Sequence, residues 1–310
     1  MKGYLTLCGG ERAELPELMQ WSIRATDGDP CGSFSVRFRH TAAWLPVLEQ
    51  AVRFYAEDSG GAAAFSGVVD DFEVRLSDKG LLAEVSGRSM AAVLMDNQVR
   101  AAEFVSAQLE DILRLYVRPY GVGQIDAEAM PPVAEFTVET GYSCWQVLTG
   151  FCRHSADIFP RFLPDGTLVL RKSAGGRRVT ICPEQVLLCS YAQKRYGVAA
   201  RQVMVNTRNG AQQVAESAAL LALGTRCTHV SGRAGSKVRA TWRTAQQRLD
   251  DSARDRCTVQ VRLLGAEAVR PLDLVTLDVP ELGLAGVFTV QAAARSGDDT
   301  GVYTTLDLRR

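Results

Sequence analysis

The chain has 310 residues, 46% hydrophobic and 23% charged; that is long enough to bury a core in two or three small domains and excludes a disordered or collagen-like polymer. Its 35 Lys+Arg balance 35 Asp+Glu, so no global field exists to gather nucleic acid or anionic membrane. Such a composition is expected to fold without a cofactor.

In residues 1–88, apolar and polar side chains alternate in short runs: Tyr4–Cys8, Trp21–Ala25, Ser33–Arg39, Phe65–Leu76 and Leu81–Ser86. This period of two predicts strands. Asp27-Gly28-Asp29-Pro30 and Asp78-Lys79-Gly80 supply the turns between them, and together they predict an antiparallel sheet closing toward a barrel. Trp44–Tyr55 fits a helix by its apolar spacing, whereas Ala51–Tyr55 also fits a strand. After Gly87 the period lengthens. Ser89–Asp96 and Phe104–Val117 are predicted as helices, the second stopped by Pro119 and Gly121. Ser143 occupies an N-cap position ahead of Trp145, Val147, Leu148, Phe151 and Cys152. Phe159–Leu163, the turn Pro164-Asp165-Gly166 and Thr167–Arg171 then predict a hairpin, and Gly175-Gly176 closes this region.

Strands return with Gln185–Lys194, Arg201–Thr207, Gln212–Ala215 and Thr225–Ser231, the middle two joined by a turn at Asn209-Gly210. Lys237–Asp251 is predicted as an Arg-rich helix interrupting a second barrel. Thr258–Leu264, Leu274–Val279, Val287–Ala293 and Tyr303–Leu308 complete that barrel. The expected fold is mainly β with an α+β insert: two barrel-like β domains joined by a helix-containing domain. Residues 1–96 form the first barrel-like domain, 97–176 the insert, and 177–310 the second barrel-like domain with one inserted helix. Val-Ser-Gly-Arg occurs at both 85–88 and 230–233, a coincidence expected by chance in a chain of this length.

The neutral total hides an asymmetry. Residues 1–140 carry 12 basic and 21 acidic side chains, and residues 191–260 carry 12 basic and 4 acidic. Opposed patches suit ordered docking of copies or neighbours, and equally suit two solvated surfaces. The eight cysteines, Cys8, Cys31, Cys144, Cys152, Cys182, Cys189, Cys227 and Cys257, form no CxxC pair and are expected to be free thiols. No basic-plus-apolar leader opens the chain, and no apolar run approaches the ~18 residues of a membrane span, so synthesis and folding in a cytoplasm are expected.

Three stretches resemble baseplate hub proteins of contractile phage-type tails, the late-control-D and related prophage hub families. The first is Phe65-Ser66-Gly67-Val68-Val69-Asp70-Asp71, followed by Val85-Ser86-Gly87-Arg88 and Leu94-Met95-Asp96-Asn97. The second runs from Tyr142-Ser143-Cys144-Trp145 to Pro164-Asp165-Gly166-Thr167-Leu168. The third runs from Arg270-Pro271-Leu272-Asp273-Leu274-Val275 through Gly286–Val290 to Thr305–Leu308, with Leu272 where the family's turn usually has glycine. The resemblance implies a structural, non-enzymatic subunit of a phage, tailocin or injection-system tail. It implies a homotrimer whose two barrel-like domains per copy alternate around a pseudo-sixfold ring linking the tail tube to the central spike. Tape-measure protein or double-stranded DNA would pass through the bore, with neither membrane insertion nor a small-molecule substrate. If DNA only transits, tight phosphate contacts would hinder it. The basic stretch Arg226, Arg233, Lys237, Arg239, Arg243, Arg248 is then expected to face a protein neighbour.

A cell-wall hydrolase associated with a tail is the alternative, and a carbohydrate-binding adhesin a third reading. The three histidines, His40, His154 and His229, give no pair at metal spacing. Cys152 and His154 lie two apart on a predicted helix and so point to different faces. Asp70-Asp71 on a strand would point apart, and Asp250-Asp251 and Asp298-Asp299 fit loops. Gly121-Val122-Gly123 follows a helix and reads as a terminator, not a nucleotide loop. Trp21, Trp44, Trp145 and Trp242 are scattered among apolar neighbours, as core or interface residues are. No catalytic, cofactor-binding or metal-ligating residue is assigned.

Overall fold

Strands β1 (Lys2–Leu7), β2 (Arg12–Glu14), β3 (Leu18–Thr26) and β4 (Ser33–Arg39) follow the predicted alternation, with a short unpredicted strand at β2. Trp44–Tyr55 proves to be both of its readings. A 3-10 turn and helix α1 (Leu45–Glu49) occupy its first half, and β5 (Ala51–Glu57) its second. Long β6 (Ala63–Ser77) and β7 (Gly80–Ser89) complete an antiparallel order β3-β4-β7-β6-β5-β1-β2. Every second side chain turns inward, and Leu5, Ile23, Phe34, Phe38, Phe54 and Val85 form one core. Within it the Phe34 and Phe54 rings stack at 4.1 Å. The computed structural model describes residues 1–27, 31–78, 80–172, 176–233, 238–254 and 256–309. Gly28, Asp29, Pro30 and Lys79 of the predicted turns, Gly175 of the glycine pair, and Lys237 therefore lie outside the described residues.

The middle of the chain mixes short elements: α2 (Ala92–Met95), β8 (Ala102–Ala107), α3 (Leu109–Tyr116), β9 (Ile125–Ala127), β10 (Val133–Val138), α4 (Cys144–Ala156), β11 (Arg161–Phe162) and β12 (Leu168–Leu170). Phe104–Val117 is not one helix. Its first four residues extend in β8 against β10, and α3 begins only after Gln108, whose N–H donates to the Asp111 carboxylate at 3.4 Å. The 3-10 turn after α3 ends on Gly121 at φ +78°, a left-handed position that suits glycine. Ser143 caps α4 as predicted, its Oγ accepting from the Gln146 N–H at 3.1 Å. The β11–β12 hairpin also forms as predicted, and β12 pairs in parallel with β9. Ile112, Phe136, Leu148, Phe151 and Leu168 make this region's core.

The last third departs further from expectation. After β13 (Arg178–Thr180) and β14 (Val186–Gln193), strands β15 (Arg201–Asn206), β16 (Gln212–Glu216) and β17 (Thr228–Arg233), with helix α5 (Ala218–Ala222), leave the main sheet. They form a separate mixed sheet, β16-β15-β17. Lys237–Asp251 is not one helix either. Val238, Ala240 and Trp242 alternate with polar residues, and β18 (Val238–Arg239) joins β10 in parallel, carrying Ala240 into the core of the middle region. Helix α6 (Ala245–Ala253) starts behind Thr244, whose hydroxyl accepts from the Gln247 N–H at 3.1 Å. Its Ala245 and Leu249 pack on Ala199, just before β15, and on Met204 and Ala215 of the small sheet. Strands β19 (Cys257–Leu264), β20 (Leu274–Val279), β21 (Leu284–Asp298) and β22 (Gly301–Arg309) then return to the main sheet. At the turn before β20, Leu272 takes φ +74°, and the Asp273 carboxylate accepts the N–H groups of Arg270 at 2.9 Å and Arg177 at 3.1 Å.

The structure is mainly β, yet among the described residues no pairing closes either half into a barrel. The edges meet each other instead: β21 pairs with β3, fusing the two halves into one 13-stranded sheet, β14-β19-β22-β21-β3-β4-β7-β6-β5-β1-β2, with β20 and β13 branching from β21. The units repeat. β3-β4-β7-β6-β5 corresponds to β14-β19-β22-β21-β20 in order and direction, and the registers superpose. The pairs Arg53↔Val68, Asp71↔Ser86 and Ser77↔Gly80 become Leu274↔Thr289, Ala292↔Asp307 and Asp298↔Gly301 at one constant shift (Ser77 to Asp298). Bulges fall at equivalent places, between Val69 and Asp71 and between Val290 and Ala292. The β3–β4 and β14–β19 ladders likewise share a bulge, Leu18/Gln20 against Val186/Leu188. The Val-Ser-Gly-Arg pair is unrelated to this repeat: its copies lie on β7 and on β17 of the small sheet, and the counterpart of 85–88 is Leu306–Arg309.

Candidate functional site

Most of the residues that chemistry would recruit first are engaged in structure. Cys152 is fully buried, and burial pushes its thiol pKa up to about 12, so it stays protonated. Burial, with the nearby Arg243 cation, holds the His154 imidazole below its usual pKa, so it stays neutral. His40 is buried in the first unit and His229 is exposed on β17. Asp70 sits at the β6 bulge, where strict alternation fails, and accepts Arg88 Nε at 2.7 Å and Nη2 at 2.9 Å. Arg88 also grips Asp96 at 2.7 Å. Asp250 accepts Gln246 at 2.8 Å, Asp251 lies 3.8 Å from Arg153, and Asp298 accepts the Thr300 N–H at 2.8 Å. Among the described residues no cluster of three His, Cys, Asp or Glu can hold a metal. No helix is long and apolar enough to cross a membrane.

A cavity of about 380 Å³ opens where the two sheet units meet the middle region, with Ile23, Phe65, Trp145, Phe162 and Leu272 among its walls and Arg161, Arg270 and Arg295 at its margin. Trp145 stacks on Phe162 at 6.2 Å. Burial lowers the pKa of Arg161 and Arg295, with Asp126 and Asp58 respectively opposing that shift. The cavity offers an apolar seam with cationic residues in its wall.

Much of the arginine-rich segment makes contacts within the chain, while Arg226 is exposed. Arg233 and Arg239 place their guanidinium groups 5.0 and 5.1 Å from the Trp242 ring centroid, and Arg239 pairs with Glu139 of the middle region at 2.7 Å. Arg243 donates to the Trp242 carbonyl at 3.0 Å. From the other side, buried Arg153 on α4 reaches Asp157 at 3.1 Å and Asp251 on α6 at 3.8 Å, and lies 3.8 Å from the Phe159 ring centroid. These contacts rivet residues 238–254 to the insert. Of the tryptophans, Trp145 is buried, Trp44 meets Phe38 edge-on at 5.4 Å, and Trp21 lies at the β21–β3 junction.

What lies open is sheet edge. Among the described residues β14 pairs only with β19, and Leu187, Leu188 and Tyr191 on it are each about half exposed. Beyond its bulge β6 pairs, among the described residues, only with β7, and Phe72 and Leu76 are exposed, Leu76 at 79%. Sequence reading does not locate these edges. Their one signal is apolar residues with no hydrophilic alternation in Val186–Leu188.

Residues 91–172 match the family model described as baseplate hub protein gp44-like, second domain. This bears out the resemblance drawn from the sequence. No curated protein matches the chain. Among solved structures, the 43 kDa tail protein of prophage MuSo2 from Shewanella oneidensis has a TM-score of 0.78 at 16% identity, over 100% of this chain and 98% of that one. The tail protein of Neisseria meningitidis MC58 has a TM-score of 0.76 at 16% identity, over 100% and 96%. The E. coli c3393 protein, a type VI secretion system component similar in structure to the T4 bacteriophage tail proteins gp27 and gp5, has a TM-score of 0.58 at 11% identity, over 94% and 73%. At these identities the likeness is one of fold: the chain has the fold of prophage tail proteins along its whole length.

Proposed function

We propose that this chain is a structural, non-enzymatic subunit of a phage-type baseplate hub, a trimeric ring that links the tail tube to the central spike. The observation that carries this reading is the gp44-like second domain at residues 91–172, held between two repeated sheet units. Residues 1–96, 97–176 and 177–310 serve as its three domains, and each sheet unit acts as one barrel-like block of the ring. Three copies would contribute six such blocks, which suits a part that matches a sixfold tube on one side and a threefold spike on the other. Tape-measure protein or DNA passes through the bore, and the internal engagement of Arg239 and Arg153 keeps those cations from gripping phosphate. Such a subunit works in the tail baseplate of a particle assembled in the bacterial cytoplasm.

Light scattering on the purified protein across concentration and salt tests the assembly. The expected mass is three times 33.7 kDa, with rings in negative stain and co-purification with tube and spike proteins. Failure to bind either protein overturns the hub reading. A peptidoglycan-hydrolysis assay tests the non-enzymatic part: no clearing is expected, and clearing that survives repurification overturns it.

A further inference from the structure

The internal repeat shows one junction between units and leaves its mirror position empty. Within the chain, the part of β21 beyond its bulge lies along β3, pairing Ala292↔Thr26, Arg295↔Ile23 and Gly297↔Trp21. The counterpart of Ala292–Gly297 is Asp71–Leu76 on β6, and the counterpart of Trp21–Thr26 is Cys189–Lys194 on and just after β14. Neither counterpart has a second strand beside it among the described residues.

We propose that Asp71–Leu76 of one copy pairs antiparallel with Cys189–Lys194 of a second copy, repeating the β21–β3 junction between chains. The inherited register sets Asp71 opposite Lys194, Val74 opposite Tyr191, and Leu76 opposite Cys189.

Three observations support a second copy as the occupant. Exposure is the first. Ala292, Ala293 and Ile23 are buried at the existing junction, whereas their counterparts Asp71, Phe72 and Tyr191 are exposed. An unpaired edge with large apolar side chains is a surface that soluble proteins cover or pair. Side-chain size is the second. At the existing junction Gly297 leaves room for Trp21, since an added Cβ would meet the indole at 2.5 Å; at the proposed one the large residue, Leu76, faces the small Cys189. Charge is the third. On the first edge Glu73 is paired with Arg75 at 2.9 Å, which leaves Asp71 as its acidic end, and Lys194 and Arg195 follow the other edge, so the register brings opposite charges together at that end. The two edges differ, so the contact is head-to-tail and generates a ring when its rotation closes. That the ring closes at three copies rests on the hub reading.

The test is a cysteine placed opposite a natural one. In an antiparallel pair facing residues are about 4.5–5.5 Å apart at Cα, within the reach of a disulfide. Mild oxidation of Leu76→Cys is expected to give covalent dimers and trimers on a non-reducing gel. The ladder should vanish in Leu76→Cys with Cys189→Ser, and be absent from the unaltered chain. Independently, Asp71→Lys should weaken association about tenfold by facing Lys194 with a like charge, and adding Lys194→Asp should restore it. A trimer by light scattering with no Cys189-dependent cross-link overturns the pairing while leaving the hub reading standing with another interface. Cross-linking that survives Cys189→Ser also overturns it. If the chain neither associates nor cross-links at any concentration, the pairing is overturned, and binding to spike and tube then decides the hub reading separately.

Discussion

Gly150→Ala inverts a familiar rule and so tests whether residues 238–240 really complete the insert. In an exposed helix interior this change stabilises by about 1 kcal/mol, because alanine restricts the unfolded chain and favours helix. Here an added Cβ would stand 1.9 Å from the Ala240 carbonyl oxygen, 2.6 Å from its carbon and 2.8 Å from its Cα. These are backbone atoms, and they cannot swing aside. Ala240 is fixed by its N–H to the Thr137 carbonyl at 3.0 Å, next to the β18–β10 ladder. Overpacking of this kind costs roughly 1–3 kcal/mol, and a clash with backbone belongs at the top of that range. The expected net loss is about 2 kcal/mol, or a fall in Tm of roughly 4–8 °C for domains of this size. Differential scanning calorimetry measures it. Gly123→Ala, where an added Cβ meets nothing within 4 Å, should leave Tm unchanged or slightly raised. An unchanged or higher Tm for Gly150→Ala would refute the close approach of α4 to Ala240.

Replacing Leu272 by glycine should raise stability by about 0.5–1 kcal/mol in chemical denaturation, because leucine at φ +74° is strained where glycine is not; a loss would show that its side-chain contacts outweigh the strain. Arg153→Ala should cost about 2–3 kcal/mol by removing the buried link between α4 and α6 and its cover over Phe159, whereas Arg153→Met, which keeps the packing volume, should cost about 1 kcal/mol or less. Cys152→Ser should lose about 1–3 kcal/mol by burying a hydroxyl in an apolar core, and in the native protein Cys152 should resist a thiol reagent that labels exposed Cys8 and Cys182. His154 has a lowered pKa when folded, so the unfolded chain binds the extra proton first. Its share of stability is therefore complete above the ordinary histidine value of 6.5 and is lost as pH falls from there toward the folded value. His154→Gln should flatten the stability profile in that window, and an unaltered slope would remove His154 as its cause.

The strands of the first unit and the capped helix α4 were legible because local chemistry alone decides them. Alternation over Ser33–Arg39 and a Ser143–Gln146 cap need no distant partner. Misreadings arose where helical spacing and strand alternation overlap. Phe104–Ala107 looked like the start of α3, and Val238–Trp242 like the start of α6, until β10 paired with both. The basic segment was visible as charge, but nothing local announced that Glu139, Trp242 and Asp251 would engage its neighbourhood from within the chain. Asp70-Asp71 drew notice as an acidic pair. Its place is a bulge, and Asp71 begins an open edge.

The sequence by itself determined that the chain is mainly β, that a capped helix and a Pro-Asp-Gly hairpin lie in its middle, and that its charge is divided along its length. Each of these is written in residues only a few positions apart. Only the tertiary structure decided that two units with almost no residues in common share one register, that β21 joins β3 rather than closing a barrel, and that β6 and β14 keep free edges. Ladder pairing depends on backbone hydrogen bonds and on which faces are apolar, and many different side chains satisfy both. The repeat therefore survives in strand order, bulge position and register after it has gone from the residues themselves.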